Sequence, residues 1–524
     1  MNKIQILDCT LRDGGYINDF RFGKFAISKI INQLVVANVD IIECGFLEDC
    51  NYDENCSIFN YVEEIRPFLP QDRKKSMFVA MACYGEYSLD KLSVYDGTSI
   101  DGIRITFHYN EVEEALEYCR QISEKGYKVF VQPVGTTSYT DIQLIELIDK
   151  VNKLQPYSFY LVDTLGLMQR EDILRMFYLV DHNLNWNIHM GFHSHNNLQL
   201  SFSNCQEFVR LESDRIISLD SSVYGMGRGA GNLNTELIAN YLNEHQVRKY
   251  EIEPLLEIVD EFIVHIKAKY EWGYSVPYYL AAINGCHPTY ASYLSSKQTL
   301  PVKSISSILR MIAPEKRSLF DRKLAEEKYV EFQSREIDDT AAIKLLKGEL
   351  FDRNVMLLAP GVSLDTNKDR ILRTIKEENC LVVSISFVPD FLEPDYVFLS
   401  NLKRYNTTFN PLKKDIRLIQ TSNIDIKEDN KIIVNYSNLL NEDDWIIDNS
   451  SLMFLNLLLR LFPKHVYLAG LDGYVPYHKN YYMDRLALLQ DDERIEQQNK
   501  SMKQRVVELS GSLNISFITP SLYQ

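Results

Sequence analysis

One pattern constrains this chain more than any other. Over its first 230 or so residues, short apolar runs alternate with amphipathic stretches about eight times. The strand candidates are Ile4–Asp8, Ile41–Gly45, Ser76–Met81, Gly102–Thr106, Lys128–Pro133, Phe159–Asp163, Ile188–Phe192 and Ile216–Ser221. Helical spacing fills the gaps, as in Lys24–Ala37, Asn110–Lys125 and Thr140–Leu154. Strand followed by helix, repeated, builds a parallel sheet with crossover helices. Eight repeats in this length fit a closed (β/α)8 TIM barrel better than an open doubly wound sheet, which stays as the alternative. A barrel of this kind gathers its chemistry at the C-terminal ends of the strands. The polar residues Asp8 to Asp13, Glu43, Arg104 to His108, Asp163, His193 to Asn197 and the Gly225–Asn232 loop all fall just after apolar runs.

The sequence divides into three parts: a barrel over 1–245, a helical extension over 246–348 and a Rossmann-like α/β domain over 349–524. The extension carries helical spacing in Leu255–Ala268 and Ile305–Ile312, and a charged stretch at Arg317–Arg335. In the last part, strands are expected at Val355–Leu358, Leu381–Ile385, Tyr396–Leu399, Arg417–Gln420, Lys431–Val434 and Val466–Leu468, with a helix over 451–462. Composition agrees with folded domains: 45% hydrophobic and 24% charged residues exclude disorder as the main state. A net charge of −16 argues against a nucleic-acid binder driven by phosphate neutralisation. No apolar run reaches the roughly 18–20 residues of a membrane span; the most apolar helix, Leu452–Phe462, is short and contains Arg460. No basic-then-apolar leader opens the chain. Nine cysteines without a CxxC pair suit reduced thiols and a cytoplasmic setting, with Cys9 and Cys44 as buried core residues.

Three segments hold the candidate chemistry: Leu7-Asp8-Cys9-Thr10-Leu11-Arg12-Asp13-Gly14-Gly15-Tyr16, Gly191-Phe192-His193-Ser194-His195-Asn196-Asn197, and Gly225-Met226-Gly227-Arg228-Gly229-Ala230-Gly231-Asn232. His193 and His195 are two apart, so on a strand both imidazoles share a face. Two imidazoles and a carboxylate suit a divalent metal with open positions, and Asp13 is the carboxylate candidate. The alternative is two polar residues ending a strand. Arg12 suits an anionic substrate or a developing enolate, or else forms a surface ion pair. The glycine-rich segment brings backbone N–H groups and Asn232 toward an anion, or is a plain tight turn.

With these residues in view, the chain resembles the metal-dependent aldolase and acyltransferase barrels called DRE-TIM metallolyases, over about residues 1–295. The resemblance rests on Arg12-Asp13 after the first strand, Glu43 after the second, His193-Ser194-His195-Asn196-Asn197 after the seventh, and the glycine-rich segment ending in Asn232. Within the family it is most similar to 4-hydroxy-2-oxoacid aldolases of the HMGL-like type. That resemblance implies Mn²⁺ or Mg²⁺ held by Asp13, His193 and His195, with Asn232 as a further ligand. It implies that Arg12 stabilises a pyruvate enolate, that Glu43 orders the metal surroundings, and that Tyr290 contacts substrate. The aldolases carry an acid/base histidine three residues after the aspartate; here that position is Tyr16. The proton then falls to Tyr16, His108, Glu43 or a metal-bound water. No strand end offers a Schiff-base lysine.

The last domain resembles bacterial sialyltransferase and polysaccharide-biosynthesis domains, on Val355–Leu364 and Lys464–Tyr474. This implies a nucleotide-linked sugar, with Gly361 and Ser363 at its phosphates, Asp472 near the sugar and His478 as a distant candidate base. The alternative is an α/β domain without catalysis. Together these readings imply an aldolase acting on a 2-oxoacid and an aldehyde, in surface-polysaccharide sugar-acid biosynthesis, and a homo-oligomer. The other readings are a Claisen-type acyl-CoA-dependent acyltransferase and a non-catalytic sugar-binding scaffold.

Overall fold

The structure is a computed structural model that describes residues 3–246, 248–408, 416–425, 431–476, 478–483 and 492–524. The chain divides into two compact units, Met1–Thr289 with Arg317–Leu319, and Tyr290–Lys316 with Phe320–Gln524. The division falls inside the stretch read from sequence as a helical extension. That stretch contains the helices Val276–Ile283, Pro288–Ser296, Val302–Met311, Arg322–Gln333 and Thr340–Leu350.

The first unit is a closed parallel barrel of eight strands: β1 (Lys3–Asp8), β2 (Ile41–Leu47), β3 (Met77–Cys83), β4 (Gly102–Phe107), β5 (Lys128–Pro133), β6 (Ser158–Asp163), β7 (His189–Ser194) and β8 (Ile216–Ser221). Each pairs with its sequence neighbours, and β1 closes the ring by pairing with both β2 and β8. A two-residue strand, Ile58–Phe59, adds to β2. The register of β2 on β3 slips between Glu43 and Phe46. Gly45 lies at this slip with φ +148, and a Cβ there would fall 2.0 Å from the Ser57 carbonyl oxygen. Such irregularities re-aim side chains next to sites.

Strands covered on both faces read as continuous apolar runs. The outer faces pack on helices, among them α1 (Lys24–Val36), α2 (Val112–Glu124), α3 (Asp141–Leu154) and α4 (Arg170–Asn183), in one large apolar layer. Inside the barrel a smaller cluster of Leu7, Cys9, Ile41, Val79, Phe130, Tyr160 and Val162 fills the space. Large side chains there need small partners. The Tyr160 ring occupies the room that Gly191 leaves empty, and Phe130 does the same beside Gly102.

The second unit holds a seven-stranded parallel sheet built from β9 (Asn354–Leu358), β10 (Leu381–Ile385), β11 (Tyr396–Leu399), β12 (Arg417–Thr421), β13 (Lys431–Val434), β14 (His465–Ala469) and β15 (Ile515–Phe517). Its order is β13-β12-β11-β10-β9-β14-β15. Six of these strands match the expected ones; β15 is short, half-buried and escaped the apolar pattern. Alternate residues of β9 face opposite layers, Val355 and Leu357 into one core and Met356 and Leu358 into the other. The chain starts in the middle, steps outward, then crosses to the other side of β9. That reversal opens a crevice between the loops after β9 and β14. Among the described residues, no helix is long and apolar enough to cross a membrane.

The barrel interior gives a direct test. A Cβ at Gly191 would lie 2.2–2.4 Å from three Tyr160 ring atoms. Gly191→Ala is expected to destabilise the barrel by about 1–3 kcal/mol through overpacking, read as a lower urea midpoint. An unchanged midpoint would show that Tyr160 yields freely.

Candidate metal centre

The turn after β1 is fixed before any site chemistry enters. The Asp13 N–H donates to the Cys9 carbonyl at 2.8 Å. Thr10 accepts the Val223 N–H at 2.8 Å, and Asp8 accepts the Thr235 hydroxyl at 2.6 Å. The loop after β1 is thereby tied to the loop after β8, where the glycine-rich segment begins. This places Arg12 and Asp13 at the C-terminal mouth of the barrel.

His193 lies on β7 and His195 just past it. The side-chain oxygens and nitrogens of Asp13, His193 and His195 that could bind an ion lie within 4.8 Å of one another. The tautomers follow from the partners. His193 Nδ1 is 2.9 Å from the Asp220 carboxylate, and His195 Nδ1 is 3.0 Å from the Asp163 carbonyl. A carbonyl only accepts, so His195 Nδ1 carries the hydrogen and Nε2 keeps a lone pair, 3.7 Å from Asp13 Oδ2. The carboxylate does the same for His193. Burial, His193 and Arg12 together pull His195 down to about 4, against Asp13, so at neutral pH it is an uncharged ligand. Burial alone would raise Asp13, yet Arg12, His195, His193 and the Asn232 amide hold it well below the usual carboxylate range.

Asn232 donates from Nδ2 to Asp13 at 2.6 Å and to the Met226 carbonyl at 3.2 Å. Its Oδ1 is buried and has no hydrogen-bond partner among the described residues. Buried acceptors are seldom left unsatisfied, and one beside a carboxylate and two lone-pair imidazole nitrogens suits a cation. The residues present therefore fit a divalent metal. Gly227 is required here by close approach: a Cβ would lie 2.5 Å from Asn232 Nδ2 and 3.2 Å from Asp13 Oδ2.

Behind the cluster runs a buried chain of alternating charge. Arg12 bonds Asp13 at 2.7 Å and Glu43 at 2.8 Å. Arg104 meets the same Glu43 oxygen at 2.9 Å and pairs with Asp220, which holds His193. Arg104 is 0% and Asp220 1% exposed. Burial would raise Asp220, but Arg104 and His193 outweigh it and lower its pKa. Asp220 was not among the sequence-predicted site residues, and Arg104 was noted only as a polar residue near a strand end. Their signal is a charge inside an otherwise apolar buried strand, Ile216–Ser221 and Gly102–Phe107.

The remaining candidates are more scattered. Tyr16 is 36% exposed at the mouth, edge-on to Phe20 and Phe46, with the Arg228 guanidinium 3.9 Å from its ring centre. Burial pushes its phenol up to about 12 against the pull of Arg228 and Arg12, so it stays protonated. His108 is exposed where a 3-10 turn follows β4, and its side chain is not part of the cluster. Tyr290 belongs to the second unit. Its hydroxyl donates to the Lys316 carbonyl and accepts the Asp321 N–H, both at 3.1 Å, and its ring packs on Phe320. Those backbone bonds give the hydroxyl a structural task.

In the second unit, Gly361 and Asp472 line a cleft with a cavity volume of about 160 Å³ at the sheet's reversal point, with Asn401, Arg404, Asn480 and Arg494. Asp472 accepts both the backbone N–H and the hydroxyl of Ser363. A Cβ on Gly361 would strike the Gly470 carbonyl oxygen and the Asp472 carboxylate. A phosphate at Ser363 would have to displace that carboxylate against its charge, so Gly361 and Ser363 are built to seat Asp472. His478 is exposed.

Asp220 gives the sharpest test of this arrangement. Asp220→Asn leaves Arg104 buried with half its compensation, at an expected cost of about 3–5 kcal/mol. It also loosens the hold on His193, and outer partners of this kind change metal affinity by about 10–100-fold. Urea unfolding and Mn²⁺ titration calorimetry read the two effects separately. Wild-type Mn²⁺ affinity in a folded variant would show that Asp220 does not orient a ligand.

Residues 3–260 match the HMGL-like family. The chain is similar to a 4-hydroxy-2-oxovalerate aldolase of Geobacillus genomosp. 3, 24% identical over 273 residues that make up 48% of this chain and 78% of that protein. It is similar also to an oxaloacetate decarboxylase of Mycobacterium tuberculosis, 26% identical over 245 residues, 44% of this chain and 68% of that protein. Among solved structures it is similar to the N-terminal domain of a candidate aldolase from Bacteroides vulgatus, 24% identical, covering 56% of this chain and 96% of that one with a TM-score of 0.47. The matched segment contains Asp13, His193, His195 and Asn232, and over residues 3–260 this chain belongs to the HMGL-like family.

Proposed function

We propose that the barrel is a divalent-metal-dependent aldolase that makes or cleaves a C–C bond next to a 2-oxoacid, with pyruvate as that acid and Mn²⁺ or Mg²⁺ as the ion. The observation that carries this reading is the juxtaposition of two kinds of group. Asp13, His193, His195 and the unpartnered Asn232 oxygen offer four ligands, and beside them Arg12 is held rigid between two carboxylates. A divalent ion bound there supplies Lewis acidity toward a 2-oxoacid and lowers the cost of forming its enolate.

The protein's own residues do the rest. Asp13 and Glu43 fix the Arg12 guanidinium, so it can face the developing enolate oxygen without reorganising. Glu43 in turn is held by Arg104, and His193 by Asp220. In condensation, pyruvate C3 loses a proton, and its electron pair adds to the aldehyde carbon. The carbonyl π pair moves to the aldehyde oxygen, which takes up a proton as the new hydroxyl, so the step is proton-neutral. Tyr16, protonated at neutral pH, is suited to donate at that oxygen and unsuited to act as the resting base. The names of the two curated relatives, one an aldolase and one a decarboxylase, both concern 2-oxoacids and support this substrate class.

Proton exchange on pyruvate tests the reading. In D₂O with Mn²⁺, the pyruvate methyl signal is expected to disappear with time. Chelator or Asp13→Ala should abolish the loss. A persistent methyl signal with Mn²⁺ demonstrably bound would overturn the pyruvate assignment, and thiol release from acetyl-CoA would then test the acyltransferase alternative.

A further inference from the structure

Arg228 differs from the other two arginines of this site. Arg12 and Arg104 are buried and locked by carboxylates. Arg228 is exposed, in the loop after β8, and among the described residues no carboxylate lies within ion-pair distance of it. It is nevertheless held in place. Its guanidinium lies over the Tyr16 ring, 3.9 Å from the centre, and its Nη1 is 3.3 Å from His287 Nε2. His287 does not neutralise it: an imidazole carries no negative charge, and its other ring nitrogen lies 3.3 Å from the Thr289 backbone nitrogen. Neutral groups thus brace a full positive charge, in a chain whose net charge is −16.

Its position ties it to the metal cluster. The preceding residue, Gly227, is the one whose absent Cβ lets the loop touch Asn232 and Asp13. Arg228 therefore stands on the rim of the ligand set. Charge accounting separates its role from that of pyruvate. Asp13, Glu43 and Asp220 against Arg12 and Arg104 leave one negative charge, which a divalent ion turns into one positive charge. The pyruvate carboxylate cancels that charge without calling on Arg228.

We propose that Arg228, braced between Tyr16 and His287, binds an anionic group on the second substrate, so that the aldehyde partner carries a carboxylate or a phosphate. This rests on the aldolase reading above. A guanidinium pairs with either anion through two parallel N–H bonds, so both share one recognition chemistry.

The test uses the whole chain with Mn²⁺, pyruvate and matched aldehydes. Succinic semialdehyde against pentanal reads a carboxylate, and glyceraldehyde 3-phosphate against glyceraldehyde reads a phosphate. The charged member of one pair is expected to be favoured at least tenfold in kcat/KM, and the pair that shows this names the anion. In Arg228→Met that preference should fall at least tenfold, mainly through KM, while Arg228→Lys keeps part of it. Equal use of charged and neutral aldehydes, or a preference unchanged in Arg228→Met, overturns the inference. Wild-type pyruvate exchange keeps the two failures apart. Exchange without aldehyde preference defeats only the Arg228 assignment, whereas no exchange defeats the aldolase reading and this inference with it.

Discussion

The barrel site depends on one buried chain of ion pairs, running Asp13, Arg12, Glu43, Arg104, Asp220 and His193. Moving charges out of water is costly, and well-packed apolar residues of similar volume often stabilise a fold as well or better. The arrangement is therefore poorly explained as a source of stability. Its value lies in position. Each guanidinium is held by two carboxylates, and each holds a group that matters at the mouth: Arg12 touches Asp13, and Arg104 holds the carboxylate that sets the His193 tautomer. Removing any member leaves a buried charge partly uncompensated, so the members are not exchangeable one at a time.

This dependence explains what was legible in the sequence. The eight barrel strands were legible because strands buried on both faces write their positions as apolar runs, and the ends of those runs exposed Asp13, Glu43, His193 and His195. Arg104 and Asp220 sit within strands, 116 residues apart, and meet only because the sheet closes. No local pattern records that meeting. The two-residue spacing of His193 and His195 could show that they share a face, but not that Asp13 lies opposite them. Closure of β1 against β8 does that, pairing Leu7 with Asp220 and bringing the β1 turn beside the β8 loop. Tyr290 shows the opposite failure: a loose motif match points to a tyrosine whose hydroxyl is occupied by backbone in the other unit.

The second unit was legible in its strands and less so in its loops. Parallel strands of four or five apolar residues stand out, whereas the short, half-buried β15 does not. The Gly361–Ser363 turn has the composition of a phosphate cradle, and composition cannot tell whether something already fills the cradle. Here Asp472, more than a hundred residues away, supplies the negative charge that a phosphate would otherwise bring. A helix start capped by a carboxylate of its own chain has satisfied the donors that anion binding requires.

The same logic, applied to the barrel mouth, separates residues that complete the fold from residues that await something. The charges of Arg12 and Arg104 are met by buried carboxylates of the protein. The Tyr290 and Ser363 hydroxyls bond within the protein. The Asn232 oxygen and the Arg228 guanidinium differ: among the described residues, one is a buried acceptor without a donor and the other a fixed cation without a counter-ion. Most polar groups of a folded chain find partners, so deficits gathered at one mouth call for a ligand. The two deficits are of opposite kind and both follow Gly227, in a loop whose path its glycines make possible. An acceptor that calls for a cation and a cation that calls for an anion, a few residues apart, describe a site that takes a metal ion on its inner side and an acidic substrate on its outer side.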